Sequence, residues 1–186
     1  MGKTHELSKS EEDNISKRRR TDESSDRTHS LVQLLRDATE VVDGIVVKCA
    51  KEICKELTRD YATGVYADAL YRALRKELYS KEHAGKHLRL ERSVSVPIRC
   101  GDDIIDNMTT EAVVYTSNNR ALMVIAVKTK RTALKESDAG YLMCAVEQIG
   151  KTIYEADVDP PTAMVVNFNK GEMSRLVISG DTVSCD

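Results

Sequence analysis

No tryptophan, a single phenylalanine and only three prolines stand among the 186 residues, of which 31% are charged and 41% hydrophobic. That balance excludes collagenous, disulfide-dense and wholly disordered chains. No apolar stretch approaches the roughly 20 residues of a membrane-spanning helix, and the N-terminus lacks the apolar segment of a secretory signal. The expectation is a soluble intracellular protein, nuclear or cytoplasmic, without a membrane partner. An excess of either charge is also missing: 28 basic residues face 30 acidic ones for a net charge of −2. Any nucleic-acid contact must therefore come from local clustering. The five cysteines, at 49, 54, 100, 144 and 185, are odd in number and show no CxxC spacing, which predicts free thiols in a reducing compartment. Four of them lie inside apolar patterns and read as small core residues; Cys185 lies at the C-terminal end.

What is present divides into two parts. Residues 1–28 hold seven Lys/Arg and seven Asp/Glu, with only Met1, Leu7 and Ile15 as sizeable apolar groups. Burial cannot offset the entropy of ordering such a segment, so it is expected to be a disordered charged tail. Within it Lys17, Arg18, Arg19 and Arg20 form a tetrabasic run, the composition of a nuclear-import ligand or, equally, of an ordinary solvated charge run. Residues 29–186 are expected to form one domain, since a chain of about 150 residues buries roughly 70% of its unfolded surface.

Apolar residues at 31, 34, 35, 38, 41, 42, 45, 46, 49, 50, 53 and 57 mark one face of a long helix, with Ser30 as its N-cap. A break over 60–64 precedes a second amphipathic helix with Val65, Ala69, Ala73, Leu74 and Leu78 inward and Arg72, Arg75 and Lys76 outward. The period then shortens to two. Residues 93–98 alternate and contain Pro97, an edge strand. Residues 111–115 and 122–127 are β-prone runs around the turn-rich loop 116–120, a hairpin. Residues 138–154 return to helical spacing until Asp159, Pro160 and Pro161 stop it, and strands over 164–168 and 175–178 follow.

In a recurring nuclease arrangement, acids on a hairpin hold Mg²⁺ against the scissile phosphate while a lysine orients the attacking water. Here Glu111 and Lys128 occupy such positions, but the residue two before the lysine is Ala126. Residues 126 and 128 of one strand face the same way, so an acid at 126 would share a metal with Glu111, whereas alanine offers no oxygen.

Residues 41–178 resemble the GxxExxY proteins, members of the PD-(D/E)XK nuclease superfamily. Val65-Tyr66-Ala67-Asp68-Ala69-Leu70 is similar to that family's VYxxAL helix segment, and residues 90–97 to its first strand. Val124-Ile125-Ala126-Val127-Lys128 falls where the family has VIELK, and Val165-Val166-Asn167-Phe168 where it has LINF. The resemblance implies a restriction-endonuclease-like α/β fold, a mixed sheet flanked by helices. It also implies vestigial catalytic positions at Glu111 and Lys128. The family aspartate appears as Glu111, the VIELK glutamate as Ala126 and the glutamine of the following helix as Gly140. The helical glutamate falls on Thr63 or, in the alternative register, on Ala67.

Most of the metal-binding acids are absent, so no cofactor is expected; Mg²⁺ at Glu111 would be needed if the protein were active. Asp68, Asp102, Asp103 and Asp106 are candidates for a relocated ligand, or surface acids. Seven Lys/Arg between Arg72 and Arg92 face three Glu, and Lys128, Lys130, Arg131 and Lys135 follow the hairpin. Arg72, Arg75, Lys76, Arg89, Arg92, Lys130 and Arg131 can bracket a duplex backbone without reading bases, or form a solvated face. His83 and His87 have metal-compatible helical spacing, but the intervening Gly85 favours a polar loop. The reading is a catalytically degraded nuclease fold that binds double-stranded DNA or a protein assembly. Alternatives are a divalent-metal nuclease with a relocated carboxylate, and a structural scaffold.

Overall fold

The computed structural model describes residues 9–100, 103–138, 140–153, 160–180 and 182–185, with side chains from Ser30 onward except at 84, 98–100, 141 and 150–153. The chain divides between Asp37 and Ala38 into two units. Helix α1 (Lys9–Glu56) has residues in both. Residues 1–8 of the expected tail lie outside the described residues; from Lys9 to His29 the backbone alone is described, as helix. Ser30 therefore stands within a helix instead of capping one. In the first unit Leu31 and Leu34 are exposed, and Gln33 Nε2 donates to Asp37 Oδ1 at 2.7 Å.

In the second unit the α1 stripe becomes buried at Val42, Ile45, Val46, Cys49, Ala50, Ile53 and Cys54. Helix α2 (Thr63–Leu78) buries Tyr66, Leu70, Leu74 and Leu78, a strict four-residue spacing. This corrects the expected inward face: Val65 is exposed and Tyr66 takes the buried position. Each buried leucine contributes about 2 kcal/mol relative to exposure.

Six strands form one mixed sheet in sequential order: β1 (Arg89–Cys100), β2 (Asp103–Tyr115), β3 (Ala121–Lys128), β4 (Thr162–Asn169), β5 (Glu172–Ser179) and β6 (Thr182–Cys185). All neighbours are antiparallel except β3 and β4, which run parallel. Parallel pairing requires a crossover, and helix α3 (Gly140–Ile153) lies in that connection. β3 and β4 are apolar on both faces, as strands sandwiched between layers must be. Pro97 lies on β1, at the sheet margin, a position that tolerates a residue without an N–H because only one side of the strand is paired. At the β4–β5 turn, Lys170 and Gly171 both have positive φ, the backbone of a two-residue hairpin, and glycine tolerates it without Cβ strain.

One face of the sheet packs Val113, Val124, Ala126, Val165, Leu176 and Ile178 against Leu142, Ala145, Val146 and Ile149 of α3. Strand alternation turns Met123, Ile125, Val127, Met164, Val166 and Phe168 to the other face. There the Tyr66 ring of α2 stacks on Phe168 with centroids 4.8 Å apart, and the Asp43 carboxylate of α1 accepts from Arg175 of β5 at 2.5 and 2.6 Å. Helices thus cover both faces, and the architecture is mixed α/β. One cysteine departs from expectation. Cys144 is exposed because the buried stripe of α3 runs through its neighbours Leu142, Ala145 and Val146; the Cys100 side chain lies outside the described residues. Cys49 and Cys54 are buried free thiols, and burial pushes the Cys49 thiol up to about 11.

Candidate functional site

Register places the hairpin residues. Ala112 pairs with Ile125 and Val113 with Val124, so one step further Glu111 stands opposite Ala126. Lys128 pairs with Asn167 of β4. Glu111, Lys128 and Asn167 share the sheet face that α3 covers, at the end where β3 and β4 leave the sheet.

At that end a second acid enters from a distance in sequence. Asp138, in the 3₁₀ turn Glu136–Asp138 ahead of α3, is 6% exposed. Its Oδ1 lies 2.5 Å from Lys130 Nζ and 3.8 Å from Lys128 Nζ, and its Oδ2 accepts the Lys135 N–H at 2.9 Å. The Lys130 hydrogen bond, then the Lys135 N–H, hold its carboxyl below the usual range. Asn167, 2% exposed, fixes the same segment: its Oδ1 accepts the Lys130 N–H at 2.6 Å and its Nδ2 donates to the Lys130 carbonyl at 3.1 Å. The Lys128 side chain remains 29% exposed and reachable from solvent.

Glu111 has the opposite character. Burial pushes its carboxyl above the usual range, opposed by the Glu111 and Val127 backbone N–H groups and by the Lys128 ammonium. Its Oε2 is buried without a hydrogen-bond partner. A Mg²⁺ ion prefers octahedral oxygen coordination with one or two carboxylates at about 2.1 Å. These residues do not fit it. Glu111 is a carboxyl that resists ionisation, Ala126 has no oxygen, the Asn167 oxygen is taken by the backbone, and the Asp138 carboxylate is held by lysine.

The acids expected as relocated ligands do not gather at this end. Asp68 pairs with Arg92. Asp103 and Asp106 are exposed on the far half of β2; at about 3.3 Å per residue Asp106 lies roughly 16 Å along the strand from Glu111. Asp102 lies outside the described residues. Of the two candidate positions for the helical glutamate, Thr63 reaches the end of β3, its hydroxyl 2.7 Å from that of Thr129. Asp138 is the member that sequence reasoning missed. Its only local signal is a helix-capping residue type just before an apolar helical run.

The nominated basic residues fall into two groups. Arg89 pairs with Glu91 and lies 4.5 Å over the Tyr115 ring. Arg92, paired with Asp68, lies 5.4 Å from the Tyr71 ring. Lys130 is held by Asp138, and Arg131 meets Asp60 at 3.2 Å. Arg72, Arg75 and Lys76 are exposed on α2 without an ion pair among the described residues. The side chains of Lys17, Arg18, Arg19 and Arg20 lie outside the described residues. Tyr66 is fully buried, and its hydroxyl donates to the Arg59 carbonyl at 2.7 Å. Among the described residues no helix is long and apolar enough to cross a membrane.

No family model and no curated protein matches the chain. Among solved structures it is similar to the crystal structure of SSO0001, with 18% identity and a TM-score of 0.32 over 78% of this chain and 75% of that one.

Proposed function

We propose that this chain is a catalytically degraded nuclease-fold protein that binds the backbone of double-stranded DNA without cleaving it. The observation that carries the reading is the convergence of Lys128 and Lys130 on the single buried carboxylate Asp138, beside a Glu111 that resists ionisation. Two ammonium groups meet there around one carboxylate that they already hold, an arrangement that can take a phosphate and offers a divalent cation few free oxygens. Arg72, Arg75 and Lys76 supply a second cationic contact on α2. Phosphate contacts of this kind position a duplex without reading its sequence. The tetrabasic run Lys17–Arg20 serves as a nuclear-import ligand in this reading, and replacing it by alanine should abolish nuclear accumulation of a tagged copy.

The competing reading, a divalent-metal nuclease with a relocated carboxylate, takes its support from the proximity of Asp138 to the hairpin lysine. Incubating the pure protein with plasmid in Mg²⁺ or Mn²⁺ separates the two. We expect duplex binding that weakens steeply as salt rises and no nicking. Nicking abolished by Lys128→Ala would establish the enzyme instead, and absence of binding at low salt would leave a scaffold or protein-assembly role.

A further inference from the structure

The β1–β2 pair outruns the rest of the sheet. β3 meets β2 only from Ala112 to Tyr115, so the two strands continue past Thr110 as a ribbon of their own, an element that is marginal in water unless something packs on it. The base of the ribbon is covered: Val96 is buried, and Val94 and Met108 pack on the core beneath α3. Its outer part is not, because residues 103–107 of β2 are all exposed. Ile104 and Ile105 stand there side by side at 54% and 66% exposure.

Register gives this outer part its charge. Asp103 pairs with Cys100 and Asp106 with Ile98, and Ile105 is the extra residue of a bulge. The two partners are two residues apart on β1, so Asp103 and Asp106, although three apart, stand on one face. Neither has an ion pair among the described residues; Asp106 Oδ1 accepts the Asn107 N–H at 2.7 Å. The opposite charge stands on α2. Val65, Arg72 and Lys76, seven and four residues apart, follow one line along the helix, Tyr79 continues it, and all four are exposed. Within one molecule the two surfaces are held apart. Arg92, paired with Asp68 of α2, sits opposite Ala112, and Ile105 lies seven residues further along β2, roughly 23 Å away.

We propose that the ribbon is an association arm whose outer part docks on α2 of a second copy of this chain. Asp103 and Asp106 meet Arg72 and Lys76, and the two isoleucines cover apolar surface at Tyr79. The spans agree: three residues of strand reach roughly 10 Å, four of helix about 6 Å, and the long arginine and lysine side chains absorb the difference. Charge selects the occupant, since an acidic, apolar arm repels a nucleic-acid backbone and matches a basic helix. Mutual exchange of arms closes a two-fold pair. The duplex reading uses the same α2 cations, so a duplex and a second copy compete for them, but the inference does not rest on that reading.

Analytical sedimentation of the full chain at low salt, with no nucleic acid present, tests the assignment and keeps it apart from duplex binding. Wild type should pass from monomer to dimer over the micromolar range and return toward monomer as salt rises. An Asp103→Lys, Asp106→Lys variant and an Arg72→Glu, Lys76→Glu variant should each weaken self-association by roughly tenfold or more, because like charges then face each other. Mixing the two should restore a dimer, since every arm then meets a helix of opposite charge. All four positions are exposed, so each variant should melt like wild type. A wild-type chain that stays monomeric, or two normally melting variants that fail to combine, would overturn the inference.

Discussion

Lys130 and Asp138, eight residues apart in sequence, meet at 2.5 Å between ammonium and carboxylate at the ends of the central strands, while Asn167 clamps the Lys130 backbone from both its N–H and its carbonyl. This pairing fixes one buried carboxylate between Lys130 and Lys128 at the end of the β2–β3 hairpin.

Asp138→Asn removes that acid while keeping its shape. Duplex affinity at low salt should rise roughly fivefold, the scale of one charge at contact distance in a water-like dielectric. Stability should move the other way. A carboxyl held below its unfolded value contributes stability above that value, near pH 4, and loses it as pH falls through the folded value. The variant should therefore melt below wild type at pH 7, by a margin that narrows at pH 3. Thermal melts at both pH values, alongside fluorescence-anisotropy titrations, check the two arms.

Glu111→Gln should have the reverse effect on stability. Burial raises this carboxyl, so ionising it at neutral pH costs folding free energy, and the cost disappears as pH falls below the raised value. The variant should be more stable than wild type at pH 7, with the difference shrinking toward pH 4. Urea denaturation across that range measures it. A variant less stable than wild type at pH 7 would mean that the carboxylate is ionised and usefully paired.

The Tyr66–Phe168 stack joins α2 to β4 and should separate packing from hydrogen bonding. Phe168→Ala removes a ring that is 2% exposed and should cost about 3–5 kcal/mol. Tyr66→Phe keeps the stack, loses the bond to the Arg59 carbonyl and should cost about 1 kcal/mol. Equal losses in chemical denaturation would contradict the assignment.

Local patterns made much of the fold legible. The Val- and Ile-rich runs of β3 and β4, the turn chemistry of 116–120 and the margin position of Pro97 each follow from short-range rules, and the mixed sheet with flanking helices follows from their order. β6 was not expected, because Thr182–Cys185 is only four residues long and exposed throughout. The early half of β2 escaped for the same reason, its residues 103–107 being exposed. The site was less legible than the fold. Glu111 and Lys128 were found because they lie on adjacent strands of one hairpin. The Asp138 contacts, the Arg92–Asp68 pair and the Arg131–Asp60 pair depend on tertiary approach that no spacing rule encodes, so several nominated cations carry acidic partners invisible in one dimension.

The account turns on the strand-end lysines meeting phosphate, and the salt dependence of duplex binding in a Lys128→Ala, Lys130→Ala double variant tests that most directly. Affinity should fall at every salt concentration, and the slope of log K against log salt should become shallower by about 1 to 2. A slope and affinity equal to wild type would place any duplex contact elsewhere on the molecule and contradict the central claim.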